Sequence, residues 1–63
     1  MIQLTKLDKT TVLVNLDTVK YIESTPDSLI FFLNGDSLIV RESLAEIESR
    51  VLQWKTKIIQ GSN

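Results

Sequence analysis

The 63-residue chain lacks cysteine and histidine, and it has only one proline and two glycines. Without cysteine it cannot form a disulfide bond or a thiolate–metal bond. Without histidine it lacks the commonest metal ligand and the commonest general base near neutral pH. These absences exclude Ser-His-Asp and Cys-His catalysis, and the two glycines do not make a phosphate-binding loop. We expect no enzyme, no catalytic residue, no metal, no cofactor and no small-molecule substrate.

Paired carboxylates could still act as general acid and base. Most candidates fall at expected turns, where Asp is favoured because its side chain bonds nearby backbone; they are Asp8, Asp17, Glu23, Asp27 and Asp36. Glu42, Glu46 and Glu48 lie at the start of an expected helix, where the helix dipole favours anions. Glu46 and Arg50 are four residues apart, which predicts an ion pair on the helix surface. Structural roles therefore account for the acidic residues.

The charge is nearly balanced, with seven basic and eight acidic residues and a formal net charge of −1. A nucleic-acid-binding protein normally carries an excess of positive charge to neutralise phosphates. The N-terminal residues do not have the pattern of a signal peptide. No apolar run approaches the roughly 18 residues that would cross a bilayer. We expect a cytoplasmic protein with no transmembrane segment that binds no nucleic acid.

Alternating apolar and polar residues predict five short strands, at about residues 2–6, 11–15, 19–25, 28–33 and 36–41. Asn15 to Thr18 predicts a turn or a single helical turn, since Asn and Asp bond their own backbone there. Pro26-Asp27 and Asn34-Gly35 each predict a two-residue loop, and the latter is typical of a type I′ turn. The strands therefore form an antiparallel meander.

The last third of the chain has the period of a helix, over about residues 43–59, followed by a tail at 60–63. Leu44, Ile47, Val51, Trp54 and Ile58 are spaced three or four residues apart and form one apolar stripe. A capping box at Ser43 and Glu46 marks the helix start. The predicted fold class is α+β, a single domain in which one C-terminal amphipathic helix packs on an antiparallel sheet of about five strands.

Five consecutive apolar residues, Leu29 to Leu33, indicate a strand that needs cover on both faces. Two-residue loops place Phe31 opposite both Leu38 and Ile22. One predicted face then contains Ile22, Leu29, Phe31, Leu33, Leu38 and Val40. The other contains Val19, Tyr21, Ile30, Phe32 and Ile39. A slip of one residue would exchange the two faces without removing the need for cover.

One helix covers one face, so the second face predicts a contact with another protein chain. A domain of this size without disulfides or metals is often stabilised by oligomerisation. We therefore expect a homo-oligomer or a bound partner. The candidate interface residues are Val19, Tyr21, Ile30, Phe32, Ile39, Trp54, Ile58 and Ile59. The alternative is that a wrapped N-terminal strand covers part of the second face.

The chain resembles the FlbD/SwrD family of small flagellar and swarming motility proteins. The resemblance lies in "MIQLTKL", "VLVNLDTVKYIESTPDSLI", "LNGDSLIVRES" and the helix that follows, and it covers nearly the whole chain. Its most specific motif is "IESTPDS", from Ile22 to Ser28. The chain departs from the family pattern at "LDKT", where a Gly or Asn-Gly turn is usual, so the type of the first turn stays open.

The resemblance implies a cytoplasmic, non-enzymatic accessory of bacterial flagellar motility, located near the motor at the inner membrane. It implies a link to swarming and to motor power through the stator units that generate torque, and it transfers no functional residues. The hairpin followed by "VRESLAEIE" is also similar to the end of the LytTR DNA-binding domain. A small DNA-binding regulator is therefore the alternative function, although the net charge argues against it.

Overall fold

The computed structural model describes residues 1–61, with side chains for residues 1–56. The strands are β1 (Ile2–Thr5), β2 (Thr11–Val14), β3 (Val19–Ser24), β4 (Ser28–Phe32) and β5 (Ser37–Val40), and the helix is α1 (Leu44–Gly61). A 3-10 turn at Leu16–Thr18 has its first free N–H satisfied by Asn15, whose Oδ1 accepts from the Asp17 amide. The predicted α+β class, with antiparallel strands and one C-terminal helix, is confirmed.

The strands form two antiparallel sheets rather than a single one. β1 pairs with β2, and β3, β4 and β5 form a three-stranded sheet with β4 in the middle. An isolated bridge between Lys6 and Val40 joins the two sheets. The buried side chains of the N-terminal hairpin and of the helix pack together against the same side of the three-stranded sheet.

The turn between β4 and β5 is longer by one residue than the predicted type I′ turn. Phe32 N donates to Asp36 O at 2.9 Å, which leaves a three-residue loop, and within it only Gly35 has a positive φ, of 94°. The Asn34 side chain explains this geometry, because its Oδ1 accepts from Asp36 N at 3.0 Å and holds an Asx turn. Three-residue loops ending in a left-handed Gly are a common alternative in hairpins.

The longer loop shifts the register by one residue, so the predicted pairing of Phe31 with Leu38 is wrong. Ile30 is opposite Leu38, and Leu29 is opposite Ile39. The Pro26-Asp27 loop also contains three residues, because Ser24 pairs with Ser28. The shift moves Ile30 to the face predicted for Phe31.

β3 contains a bulge at Lys20, between the paired residues Val19 and Tyr21. Without a bulge, residues two apart lie on the same face of a strand. The extra residue instead turns Val19 to the face of Ile22, so the prediction that Val19 and Tyr21 share a face is wrong. Both Val19 and Ile22 are half-buried against the core.

The hydrophobic core lies between the two sheets and the helix. Its buried residues come from four strands and α1; they are Ile2, Leu4, Val14, Ile30, Val40 and Ile47. α1 begins after the predicted capping box, in which Ser43 Oγ accepts from Glu46 N at 3.1 Å and donates to Glu46 Oε1 at 3.2 Å. The face of β4 that carries Ile30 is hereafter the inner face of the three-stranded sheet.

Candidate interaction surface

The opposite side of the three-stranded sheet, hereafter the outer face, carries side chains that alternate with the inner ones. Its members are Tyr21, Glu23, Leu29, Phe31, Ser37 and Ile39. Tyr21 is 45% exposed and Ile39 is 41% exposed. The helix and the N-terminal hairpin place their buried side chains against the inner face. An apolar sheet surface therefore lies open on the outside of the molecule.

Two aromatic rings pair across neighbouring strands at one end of the outer face. The Tyr21 and Phe31 ring centroids lie 4.7 Å apart, and their planes are tilted by 30°. Lys20 Nζ lies 5.9 Å from the centroid of the Tyr21 ring, within the range of a cation–π contact. Paired rings lose little side-chain entropy on binding a partner, because packing already orients them.

The turn between β1 and β2 borders the other edge of the outer face. Lys6, Leu7 and Asp8 line a shallow groove together with Leu29 and Ile39. Leu7 is 52% exposed, so it extends the apolar surface beyond β5.

Side-chain hydrogen bonds fix this bordering turn. The Asp8 carboxylate accepts from the Thr10 hydroxyl at 2.6 Å and from the Thr10 amide at 3.0 Å. These bonds favour the ionised form and lower the pKa of Asp8, with a smaller contribution from the charge of Lys6. Arg41 Nη1 donates to the Leu7 carbonyl at 3.3 Å and links the turn to β5.

The predicted interface residues divide between the two faces. Tyr21 and Ile39 lie on the outer face and are exposed. Ile30 is 0% exposed, so its assignment to an exposed face is wrong, and the one-residue register shift is the cause. Val19 and Phe32 are also half-buried and pack against the core. The register shift places Phe32 on the inner face, and the bulge at Lys20 turns Val19 to the same face.

The predicted interface residues of the helix do not lie on the outer face where the structure describes them. Trp54 is half-buried and packs against the core, and it lines a groove between α1 and β1 with Gln3 and Arg50. Ile58 and Ile59 lie outside the described side chains. Sequence reasoning missed Leu29 and Phe31, which the observed loop lengths place between Tyr21 and Ile39.

A polar cluster closes the edge of β1 that faces away from β2. Glu42 is 6% exposed, and its carboxylate accepts from Thr5 N at 2.9 Å and from Thr5 Oγ1 at 2.7 Å. Arg50 Nη1 lies 3.0 Å from Glu42 Oε2 and also donates to the Gln3 carbonyl. Side chains thus satisfy backbone groups that would otherwise attract another strand.

The closed edge corrects the predicted pair between Glu46 and Arg50. Arg50 pairs with Glu42 instead, while Glu46 bonds back to Ser43 in the capping box. Burial raises the pKa of Glu42, but hydrogen bonds from Thr5 and the nearby Arg50 charge outweigh it, so the pKa lies below its ordinary value. The ionised carboxylate is therefore part of the folded structure.

The part of the chain that the structure describes contains no cluster of acidic side chains suited to holding a metal ion. Within the same residues, no helix is both long and apolar enough to span a membrane. Leu13, Leu33 and Leu52 are exposed elsewhere, but the outer face gathers several apolar side chains on neighbouring strands.

Comparison with protein-family models matches residues 1–59 to the family FlbD, described as flagellar and swarming motility proteins. No curated protein and no solved structure matches the chain. The matched region contains all five strands and the described helical side chains, so it includes both faces of the sheet and the closed edge.

Proposed function

Because the chain belongs to the FlbD family of flagellar and swarming motility proteins, we propose that it is a non-enzymatic accessory of flagellar motility that acts through protein–protein contacts. The outer face of the three-stranded sheet is the proposed contact surface. Its working location is near the flagellar motor at the inner membrane, where a motor or stator protein is its target.

The observation that supports this proposal is the exposure of apolar side chains on one face of the three-stranded sheet. Tyr21 and Ile39 are both more than one-third exposed, whereas Ile30 on the reverse side is fully buried. Contiguous exposed apolar patches on soluble domains commonly mark interaction sites. Aromatic residues such as Tyr are enriched among the residues that dominate binding energy.

A complementation assay tests the proposal in a swarming bacterium that lacks its own copy of the gene. Ile39→Glu places a charge on the outer face, and we expect it to abolish swarming while the protein level stays normal on an immunoblot. Leu13→Glu is the matched control, because Leu13 is 64% exposed and lies on β2, in the other sheet. We expect this control to swarm like the wild type.

Equal swarming by the two variants would contradict the assignment of the contact to the outer face. A pull-down from motile cells, with the deletion strain as control, would identify the motor component that binds. Fluorescence anisotropy with random duplex DNA examines the DNA-binding alternative. Salt-sensitive binding to that duplex would overturn the proposed contact role in favour of a nucleic-acid function.

A further inference from the structure

We infer that the outer face binds a second copy of this chain, and that the two copies are related by a two-fold axis parallel to the strands. This inference rests on the proposed role of the outer face as a contact surface. It adds one binding partner for the outer face, a second copy of the chain, and the relative orientation of the two copies.

The strand order limits the ways in which two outer faces can meet. β3 and β5 are the two lateral strands, with β4 between them. An axis along the strands places β3 of one copy over β5 of the other, whereas an axis across the strands places β3 over β3. Aligned packing of two sheets is one of the two common arrangements for facing sheets.

Charged side chains distinguish these two arrangements. Glu23 lies on the outer face of β3, and Arg41 directly follows β5 with the same orientation by alternation. Glu23 is in register with Ile39 across β4, so Arg41 lies two residues further along. An axis along the strands brings Glu23 of one copy near Arg41 of the other, twice by symmetry.

An axis across the strands does not form this pair. Tyr21 and Glu23 are the two outer-face residues of β3, so an axis across the middle of the face places Glu23 over Tyr21 of the other copy. It also places β5 over β5, which keeps Arg41 away from Glu23. The opposite charges of Glu23 and Arg41 therefore favour the axis along the strands.

The size of the outer face predicts a weak dimer. The three strands contain six, five and four residues. At about 4.8 Å between strands and about 3.3 Å per residue, they present a surface of roughly 14 Å by 17 Å. Leu7 and the bordering turn extend it, but it stays smaller than the roughly 800 Å² per partner of a standard interface. We expect a dissociation constant between about 1 μM and 1 mM.

Charge reversal with sedimentation equilibrium tests the inference on the whole chain. Glu23→Arg and Arg41→Glu should each raise the dimer dissociation constant by about tenfold or more, because each homodimer then contains two like-charge pairs. An equimolar mixture of these two single variants should form heterodimers near wild-type affinity, since both cross-subunit pairs again join opposite charges. The double variant E23R/R41E should dimerise in the same range.

Both side chains are exposed. Arg41 also donates to the Leu7 carbonyl, so circular dichroism checks that every variant remains folded. A wild-type chain that stays monomeric throughout this concentration range would overturn self-association. A dimer whose affinity the mixture does not restore would overturn the proposed axis. Neither result depends on swarming, so the proposed contact with a motor protein is judged separately by the Ile39→Glu complementation assay.

Discussion

The two faces of the three-stranded sheet are similarly apolar but have different surroundings. Ile30 on the inner face is 0% exposed, and Ile39 on the outer face is 41% exposed, although both are isoleucines on paired strands. The helix and the N-terminal hairpin both pack on the inner side. The difference shows that strand register and the reach of the rest of the chain decide which apolar residues form the core.

Substituting the same residue type on each face gives the largest expected effect. Ile30→Ala should reduce the free energy of unfolding by about 2–5 kcal/mol, because it leaves a cavity in the core. Ile39→Ala should cost less than about 1 kcal/mol, since its side chain is already partly in water. Urea denaturation at low protein concentration measures both. Equal losses would mean that the two faces are equally covered.

Glu42→Gln should give the next largest effect, because it weakens the cluster that attaches α1 to β1. We expect a loss of about 2–3 kcal/mol at neutral pH, from weaker charge-assisted hydrogen bonds. The loss stays below that of a fully buried ion pair, since the Arg50 side chain is 39% exposed and can be hydrated. Glu48→Gln, at an exposed helix position, is the control and should be nearly neutral.

The same cluster predicts a pH dependence. The folded state lowers the pKa of Glu42, so the stabilisation is present above its ordinary value of 4.5 and is lost as the pH falls through the folded value. The difference in unfolding free energy between wild type and Glu42→Gln should therefore be largest near neutral pH. It should shrink as the pH falls below 4.5 and through the lower pKa of the folded state. A difference that grows on acidification would contradict the assigned hydrogen bonds.

A change in the β4–β5 turn should have the smallest effect, although this turn sets which residues reach each face. Gly35 has φ of 94°, and a Cβ there would meet no atom within 4 Å. Gly35→Ala should cost about 1 kcal/mol through backbone strain alone. Gly35→Asn should cost less, because Asn tolerates positive φ better. Indistinguishable stabilities for all three chains would contradict a left-handed residue at this position.

Local sequence patterns were sufficient to predict the strands, the helix and hence the α+β class. The capping box at Ser43 and the turn at Asn15 were also predictable, because both depend on neighbouring residues. The faces on which Ile30 and Phe31 lie depend on the length of the β4–β5 loop. Asn34-Gly35 is compatible with both a two-residue and a three-residue loop, and the two choices exchange the faces. Loop choice depends on the side-chain bonds of Asn34 and on core packing, and neither is visible in a short pattern.

The closed edge of β1 was outside the reach of sequence reasoning for a similar reason. The sequence predicts that Glu42 is an anion favoured by the dipole at the helix start, but its carboxylate is buried against Thr5, 37 residues earlier in the chain. Contacts between distant residues leave no spacing signal in one sequence. The sequence also gives no signal for the bulge at Lys20, because a Lys between Val19 and Tyr21 fits the ordinary alternation of a strand.

Amide chemical shifts recorded during dilution test the central claim most directly, since they report which residues leave a contact. We predict concentration-dependent shifts for Tyr21, Leu29 and Ile39 on the outer face, with Leu13 on β2 and the buried Leu4 unchanged. Shifts centred on Leu13, or none over the range from about 1 μM to 1 mM expected for a weak dimer, would contradict the account of the outer face as a self-contact surface.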